Sequence, residues 1–227
     1  MTRKKKKIAI LGCGWVGSAL KEKLESRGNE VNCLSRDVNM DTLVGFYACD
    51  ALIIAVPPSE EYVDVIEDAY FSVSLNEALD TQMILLSSTS FYDAKKIIVE
   101  AEELAKIKDP DTVILRLGGL MGYDRIAGKY TAGKTVEDGE TNYVHRDDVV
   151  GIIESVIDQR LKAKILNVVA PVQSTKKDIY TKNSEVFGFE KTNFTENIAK
   201  GKALDAKGIE ILLNYTFQKP NVMTFWE

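Results

Sequence analysis

The feature that most constrains this chain lies at its start. An apolar run, Lys7-Ile8-Ala9-Ile10-Leu11, enters Gly12-Cys13-Gly14-Trp15-Val16-Gly17, and a helix-like segment leaves through Ser18-Ala19-Leu20. Strand, G-x-G-x-x-G turn and helix in that order are what a dinucleotide site requires. Gly12 makes the tight turn, Gly14 lets the backbone approach a pyrophosphate, and Gly17 lets the helix pack closely on the strand. Phosphates then lie over unpaired N–H groups at the positive end of the helix. The alternative, a glycine-rich turn that binds nothing, implies the same local fold.

The rest of the chain alternates in the same way, which is the pattern of a parallel sheet covered on both faces. A first helix over about Val16–Arg27 stops at Gly28-Asn29, and Glu30–Leu34 reads as the second strand. Ser35–Cys49 is short for a full strand–helix unit, so the third strand is expected to be vestigial. Asp50–Val56 is a buried strand ended by Pro57-Pro58, which cannot continue a ladder. A helix from Ser59 towards Leu79, a strand at Gln82–Ser88, a helix over about Ala94–Lys106 and a strand at Thr112–Leu117 follow. Beyond a loop-rich region to Thr141, Asp147–Leu161 is helical and Ile165–Ala170 strand-like. The expected fold is α/β: a Rossmann-type doubly wound parallel sheet with helices on both faces, over residues 1–170. A small C-terminal α+β portion, residues 171–227, packs on the same core on the substrate side.

Composition excludes some partners. A formal charge of −5 and a pI near 5.2 argue against a nucleic-acid surface. No run approaches 18 consecutive apolar residues, so no membrane partner is expected. The basic lead Arg3–Lys7 imitates a signal sequence, but its apolar run is too short and the glycine turn interrupts it. Cys13, Cys33 and Cys49 show no metal-ligand spacing, and an odd, sparse set suggests reduced thiols in a cytoplasmic protein. The expected partner is a small-molecule substrate, with the oligomeric state open.

Five segments fall in the order of one family: Gly12–Gly17, Ala55-Val56-Pro57-Pro58, Ser87-Ser88-Thr89-Ser90-Phe91-Tyr92, Arg116–Gly122 and Val144-His145-Arg146-Asp147-Asp148-Val149. Together they resemble the atypical short-chain dehydrogenase/reductases of the NAD-dependent epimerase/dehydratase-like kind, in particular their small bacterial YeeZ-like branch. The resemblance covers nearly the whole chain. It implies that Gly12, Gly14 and Gly17, with Trp15 and Val16, bind the pyrophosphate. Ala55, Val56 and Pro57 then end a strand at the sheet's carboxyl edge, where ligands of open α/β sheets lie. Ser87, Ser88 and Thr89 end the next such strand and face the nicotinamide and substrate. Gly118 to Gly122 would border the cofactor, and His145 with Asp147 and Asp148 would organise structure near the substrate loop.

Cofactor choice turns on the end of the second strand, Leu34-Ser35-Arg36-Asp37. Arg36 suits a 2′-phosphate, with Ser35 adding a hydrogen bond, which favours NADP(H) over NAD(H). A register one residue later puts Asp37 at the discriminating position instead, and an ordinary surface charge is the plain alternative for Arg36. For catalysis, the wider family pairs a Tyr-x-x-x-Lys with an upstream Ser or Thr. Tyr92-Asp93-Ala94-Lys95-Lys96 matches, with Glu100 four residues on and Ser88 or Thr89 to polarise the substrate oxygen. On one helix that spacing puts Tyr92 and Lys96 on a common face. Only three residues separate Ser88 from Tyr92, where the family usually inserts a longer loop. The pair is therefore either a compressed catalytic pair or a chance match, with Tyr92 packed at a helix start and Lys96 solvated.

His145, the only histidine, is expected to make a structural hydrogen bond rather than shuttle protons. Tyr123, Asp124, Arg125, Lys129, Tyr130 and Lys134 crowd a loop that either closes over an anionic or sugar-like substrate or merely connects. Cys13 sits at a helix N-terminus, where a thiol becomes more acidic. Two functions follow: an oxidoreductase or epimerase acting on a small carbonyl/alcohol or sugar-nucleotide-like substrate, or a catalytically weak NADP(H)-binding sensor. The glycine turn and Ala-Val-Pro-Pro alone also resemble β-hydroxyacid dehydrogenases and pyrroline-carboxylate reductases. Those need a mostly helical C-terminal domain, and the strand at Ile165–Ala170 argues against that.

Overall fold

The computed structural model describes residues 5–35, 45–76, 79–199 and 203–227. Its central sheet has six strands in the order β2-β1-β3-β4-β5-β9. These are β1 (Lys7–Leu11), β2 (Glu30–Leu34), β3 (Ala51–Ile54), β4 (Gln82–Ser88), β5 (Val113–Leu117) and β9 (Ile165–Val168). β1 runs parallel to both β2 and β3, and β3 runs parallel to β4. Four-residue and longer apolar runs make this possible: every residue of β3 is buried, and Pro57-Pro58 follow within three positions. No strand lies beyond β2 among the described residues. The expected vestigial third strand falls largely on residues 36–44, outside them, as do Arg36 and Asp37.

The chain divides into two compact units. The first comprises Met1–Arg116 with Val150–Leu166, and the second Leu117–Val149 with Asn167–Glu227. The second unit thus takes in the loop-rich region after β5 as well as the whole of the C-terminal portion.

In the first unit, α1 (Trp15–Ser26) buries Val16, Gly17, Leu20 and Leu24, one stripe of a 3.6-residue repeat. It stops where Gly28 takes a φ of +84° and the Asn29 carboxamide donates to the Leu24 carbonyl. Helices α2 (Tyr62–Ser74) and α3 (Lys96–Lys108) contribute Tyr62, Ile66, Ala69, Ile98, Ala101 and Ala105 to the core over β3 and β4. The Gln82 side chain donates to the carbonyls of Val156 and Leu161, which ties the start of β4 to the late segment of the same unit.

The second unit carries two small parallel pairs, each with one strand in the segment that the sequence reading left as loop-rich. β6 (Gly119–Met121) pairs with β8 (Tyr143–His145), and β7 (Thr135–Asp138) with β10 (Asn193–Ile198). Helix α4 (Arg146–Gln159) begins in this unit. α5 (Lys176–Phe187) and α6 (Lys207–Leu213) complete it, with a small core of Ala127, Ala170, Ile179, Val222 and Phe225. The Asp148 carboxylate is fully buried and accepts from the Tyr215 hydroxyl and the Gln218 and Lys219 N–H groups. It pins the 215–219 segment to the start of α4.

The cysteines depart from expectation. Cys13 and Cys33 are joined by a disulfide, while Cys49 is free, buried, and its thiol is pushed up to about 12 by burial. The reduced-thiol expectation missed this because it counted cysteines instead of tracing strand register. Parallel pairing sets Ile10 beside Cys33 and Leu11 beside Leu34, so the turn after β1 comes to rest against the end of β2.

Candidate active site at the carboxyl edge of the sheet

Gly12 adopts a φ of +112°, and a Cβ there would stand 2.6 Å from the Ala55 backbone. A Cβ on Gly17 would meet the Gly12 carbonyl oxygen at 2.1 Å, so helix and turn touch through backbone alone. Above Gly14 there is open space, with nothing within 4 Å of a Cβ built there. Gly14 is the N-cap of α1 and makes no side-chain cap, and the first turn holds no carboxylate. These are the conditions under which a helix N-terminus accepts an anion. The turn is held in place from the side, because the Gly12 and Cys13 N–H groups both donate to the Leu34 carbonyl at 2.9 Å.

Neighbouring strand ends extend the same edge. Ala55 donates its N–H to the Leu11 carbonyl, and Ala55 and Val56 are half-buried while Pro57 is exposed. At the end of β4 the serines divide. Ser87 is buried and donates to Glu102 Oε1 at 2.6 Å, so its hydroxyl is committed to the interior. Ser88 Oγ caps the following 3-10 turn (Thr89–Asp93) by accepting from the Ser90 N–H.

That turn changes the geometry expected for Tyr92 and Lys96. Ala94 is left-handed, with φ +53°, Lys95 is extended, and α3 starts only at Lys96. The four-residue spacing therefore does not fall on one helical face. The Lys96 ammonium pairs with Glu100 at 3.5 Å and is 87% exposed. The cation beside Tyr92 is Arg116, whose guanidinium lies 3.4 Å from the Phe91 ring centroid and 5.0 Å from that of Tyr92. Arg116 is clamped by fully buried Glu102, with contacts of 3.0 and 3.2 Å from Nε and 2.7 Å from Nη2. Burial lowers the Arg116 pKa, but the hydrogen bonds with Glu102, to which it donates, and with Tyr92 outweigh this and raise it. Sequence reasoning missed this pair, although its signal was present: an arginine inside the apolar strand Val113–Leu117 requires a buried counter-charge.

In the second unit His145 is buried on β8, and its Nδ1 accepts from the Asp147 N–H at 3.2 Å. The ring packs edge-on to Phe225 and beside Tyr123, whose hydroxyl donates to both Asp147 oxygens. Burial lowers the His145 pKa, against the opposing pull of Asp147 and Asp148. A depressed folded-state pKa means that this ring contributes stability above its unfolded value, about 6.5. That contribution is lost as pH falls through the folded-state value. Thermal unfolding between pH 8 and 5 should therefore show a loss of at most about 1.4 kcal/mol per pH unit below about 6.5. His145→Gln should lack this component, and identical pH slopes for both proteins would refute it.

Fold and site together define a class, a Rossmann-type α/β protein with the fold of solved epimerase/dehydratase-like structures. The chain is similar to YeeZ in sequence. It is 28% identical to Protein YeeZ of Escherichia coli K12 over 268 aligned positions, covering 95% of this chain and 97% of that protein. The alignment is longer than this chain's 227 residues, so YeeZ carries residues that this chain lacks. No protein-family model matches. Among solved structures, the human epimerase family protein SDR39U1 (isoform 2) with NADPH superposes with a TM-score of 0.76 at 13% identity, over 96% of this chain and 97% of that one. A short-chain dehydrogenase/reductase superfamily protein from Agrobacterium tumefaciens with bound NAD gives 0.75 at 12%, over 96% and 94%. Among the described residues no helix is long and apolar enough to cross a membrane.

Proposed function

We propose that this chain binds a nicotinamide dinucleotide and acts in the cytoplasm as an oxidoreductase or epimerase. Its substrate class is a small carbonyl/alcohol or a sugar-nucleotide-like molecule, and NADP(H) is favoured over NAD(H). The observation that carries this reading is the Gly12–Gly17 turn, with free space over Gly14 and an uncapped, carboxylate-free helix start behind it. The NADPH of the human relative and the NAD of the Agrobacterium relative support a nicotinamide cofactor without choosing between the two. The choice rests on Arg36, beside Ser35 at the end of β2.

The cofactor, when bound, supplies hydride transfer. The chain's own part is to hold and orient. The N–H groups following Gly14, through Trp15 and Val16, face the pyrophosphate, while Ser35 and Arg36 take the ribose and its 2′-phosphate. Ala55, Val56 and Pro57 line the ring's side of the edge, while Ser87, turned to Glu102, holds the end of β4 in place. Ser88 and Thr89 polarise a substrate oxygen, and the Tyr92 phenol gives or takes its proton beside the Arg116 guanidinium, since Lys96 is drawn off by Glu100.

A second reading, a catalytically weak NADP(H) sensor, is favoured by one observation. Lys96 is engaged with Glu100 on a different element from Tyr92. Turnover in a carbonyl screen that Tyr92→Phe abolishes would decide for the enzyme. Binding without turnover would decide for the sensor.

The first test is a fluorescence titration with NADPH and NADH. NADPH should bind more tightly, and Arg36→Ala should weaken it on the order of 10- to 100-fold, as befits a lost charge-assisted hydrogen bond, leaving NADH unchanged. Failure of wild-type protein to bind either nucleotide would sink the reading.

A further inference from the structure

The disulfide lies inside the turn that the nucleotide reading uses. Cys13 stands between Gly12 and Gly14, directly ahead of the N-cap of α1, and Cys33 is the penultimate residue of β2. Their Cα atoms are 5.5 Å apart, and the bond closes a ring that contains all of α1. It reinforces, with a covalent link, the two backbone hydrogen bonds that already draw the turn onto the Leu34 carbonyl. Neither cysteine is buried, so a small reagent reaches both.

We propose that Cys13 and Cys33 form a reversible thiol–disulfide site that exchanges with low-molecular-weight disulfides and thiols, and whose oxidised form tightens dinucleotide binding. The proposal rests on the nucleotide-binding reading above. In the reduced chain the Cys13 thiolate, at the positive end of α1 where an anion is favoured, attacks one sulfur of a small disulfide. A mixed disulfide forms on Cys13 and one small thiolate leaves. Cys33 then gives up its proton and attacks the Cys13 sulfur, the mixed disulfide breaks, and the second small thiolate departs. Two protein thiols are oxidised and one small disulfide is reduced to two thiols, which take up the two protons. A small thiol in excess reverses both steps.

The direction of the effect follows from what the bond joins. On one side is the turn that faces the pyrophosphate, and on the other the strand end that carries Ser35 two residues beyond Cys33. Fixing the two relative to each other before binding reduces the ordering that binding must supply. Disulfides that occur in reducing compartments are mostly transient and redox-sensing, which suits an accessible pair at a ligand turn.

The test uses full-length protein equilibrated in glutathione buffers from fully reducing to fully oxidising. Alkylation and mass spectrometry count thiols, and NADPH and NADH are titrated at both extremes. The oxidised protein should bind the preferred nucleotide about 5- to 10-fold more tightly. The Cys13→Ser/Cys33→Ser double variant, which can form neither the internal bond nor a mixed disulfide, should bind nucleotide with one affinity in every buffer, and in the wild type added nucleotide should shift the thiol–disulfide midpoint towards the disulfide. Affinities equal within twofold at extremes where alkylation shows full interconversion would overturn the proposal and leave the nucleotide reading standing. So would a pair that never interconverts. If neither form binds either nucleotide, the nucleotide reading falls, and this proposal with it.

Discussion

Glu102→Ala is expected to cost about 3–5 kcal/mol, the range found when one partner of a buried ion pair is removed. In a chain of this size that lowers Tm on the order of 10 °C. The reason is local. Glu102 is fully buried, accepts from Ser87 Oγ and makes three contacts with Arg116, and it is the counter-charge of a guanidinium that lies under Phe91. Without it, a cation remains inside with the Ser87 hydroxyl unpartnered. Glu102→Leu combined with Arg116→Met should recover most of the loss, because two apolar side chains of similar volume leave no buried charge. Thermal unfolding of the three proteins checks this. A loss below about 1 kcal/mol in Glu102→Ala would mean that the pair does not hold the β4–β5 edge. The pair also bears on the site, since the Phe91 and Tyr92 rings rest on the Arg116 guanidinium.

The second large effect separates folding from binding within one turn. Gly17→Ala forces a Cβ to within 2.1 Å of the Gly12 carbonyl oxygen, a backbone atom that cannot swing aside. It should cost about 3 kcal/mol, at the upper end for overpacking, and abolish nucleotide binding as the turn opens. Gly14→Ala meets nothing, at a φ of −86° that alanine adopts freely, so stability should change by only a few tenths of a kcal/mol. Yet its methyl projects into the space a pyrophosphate would fill, and nucleotide affinity should drop roughly 10-fold or more through lost close approach of the backbone. Denaturant unfolding and nucleotide titration of both variants test the contrast. Wild-type affinity in Gly14→Ala would remove the turn from the binding site.

The sheet was readable because its strands are apolar runs with firm punctuation. Glu30–Leu34 and Gln82–Ser88 have the bounds read from sequence, and Gly28-Asn29 and Pro57-Pro58 stop their elements where backbone chemistry requires. Ends without such signals slid by one to five residues, the most where the helix expected to run towards Leu79 ends at Ser74. The helix expected from Ala94 starts at Lys96 because Ala94 turns left-handed after the 3-10 segment. The short pairs β6–β8 and β7–β10 were not legible, since strands of three to six residues with polar residues carry almost no period-two pattern. At the site, the glycines were readable because each has a local steric reason. The Cys13–Cys33 bond was not, because it depends on which strand lies beside which, and although Arg116 in an apolar strand signals a buried counter-charge, only the packing of α3 shows that Glu102 supplies it. Spacing along the chain does not encode that.

The interleaving of the two units sets an order of events during synthesis. The first unit lacks part of its chain until Leu166 has been made, because Val150–Leu166 belongs to it. Gln82 waits for the carbonyls of Val156 and Leu161, the Lys6 ammonium for that of Ile157, and the Ile114 N–H for that of Lys164. A nascent chain paused after Arg116 therefore exposes the glycine turn on an unfinished sheet, the kind of partly folded species on which chaperones act. For the same reason a fragment cut at residue 116 is a poor stand-in for the first unit. A workable one must splice Arg116 to Val150 and run on to Leu166.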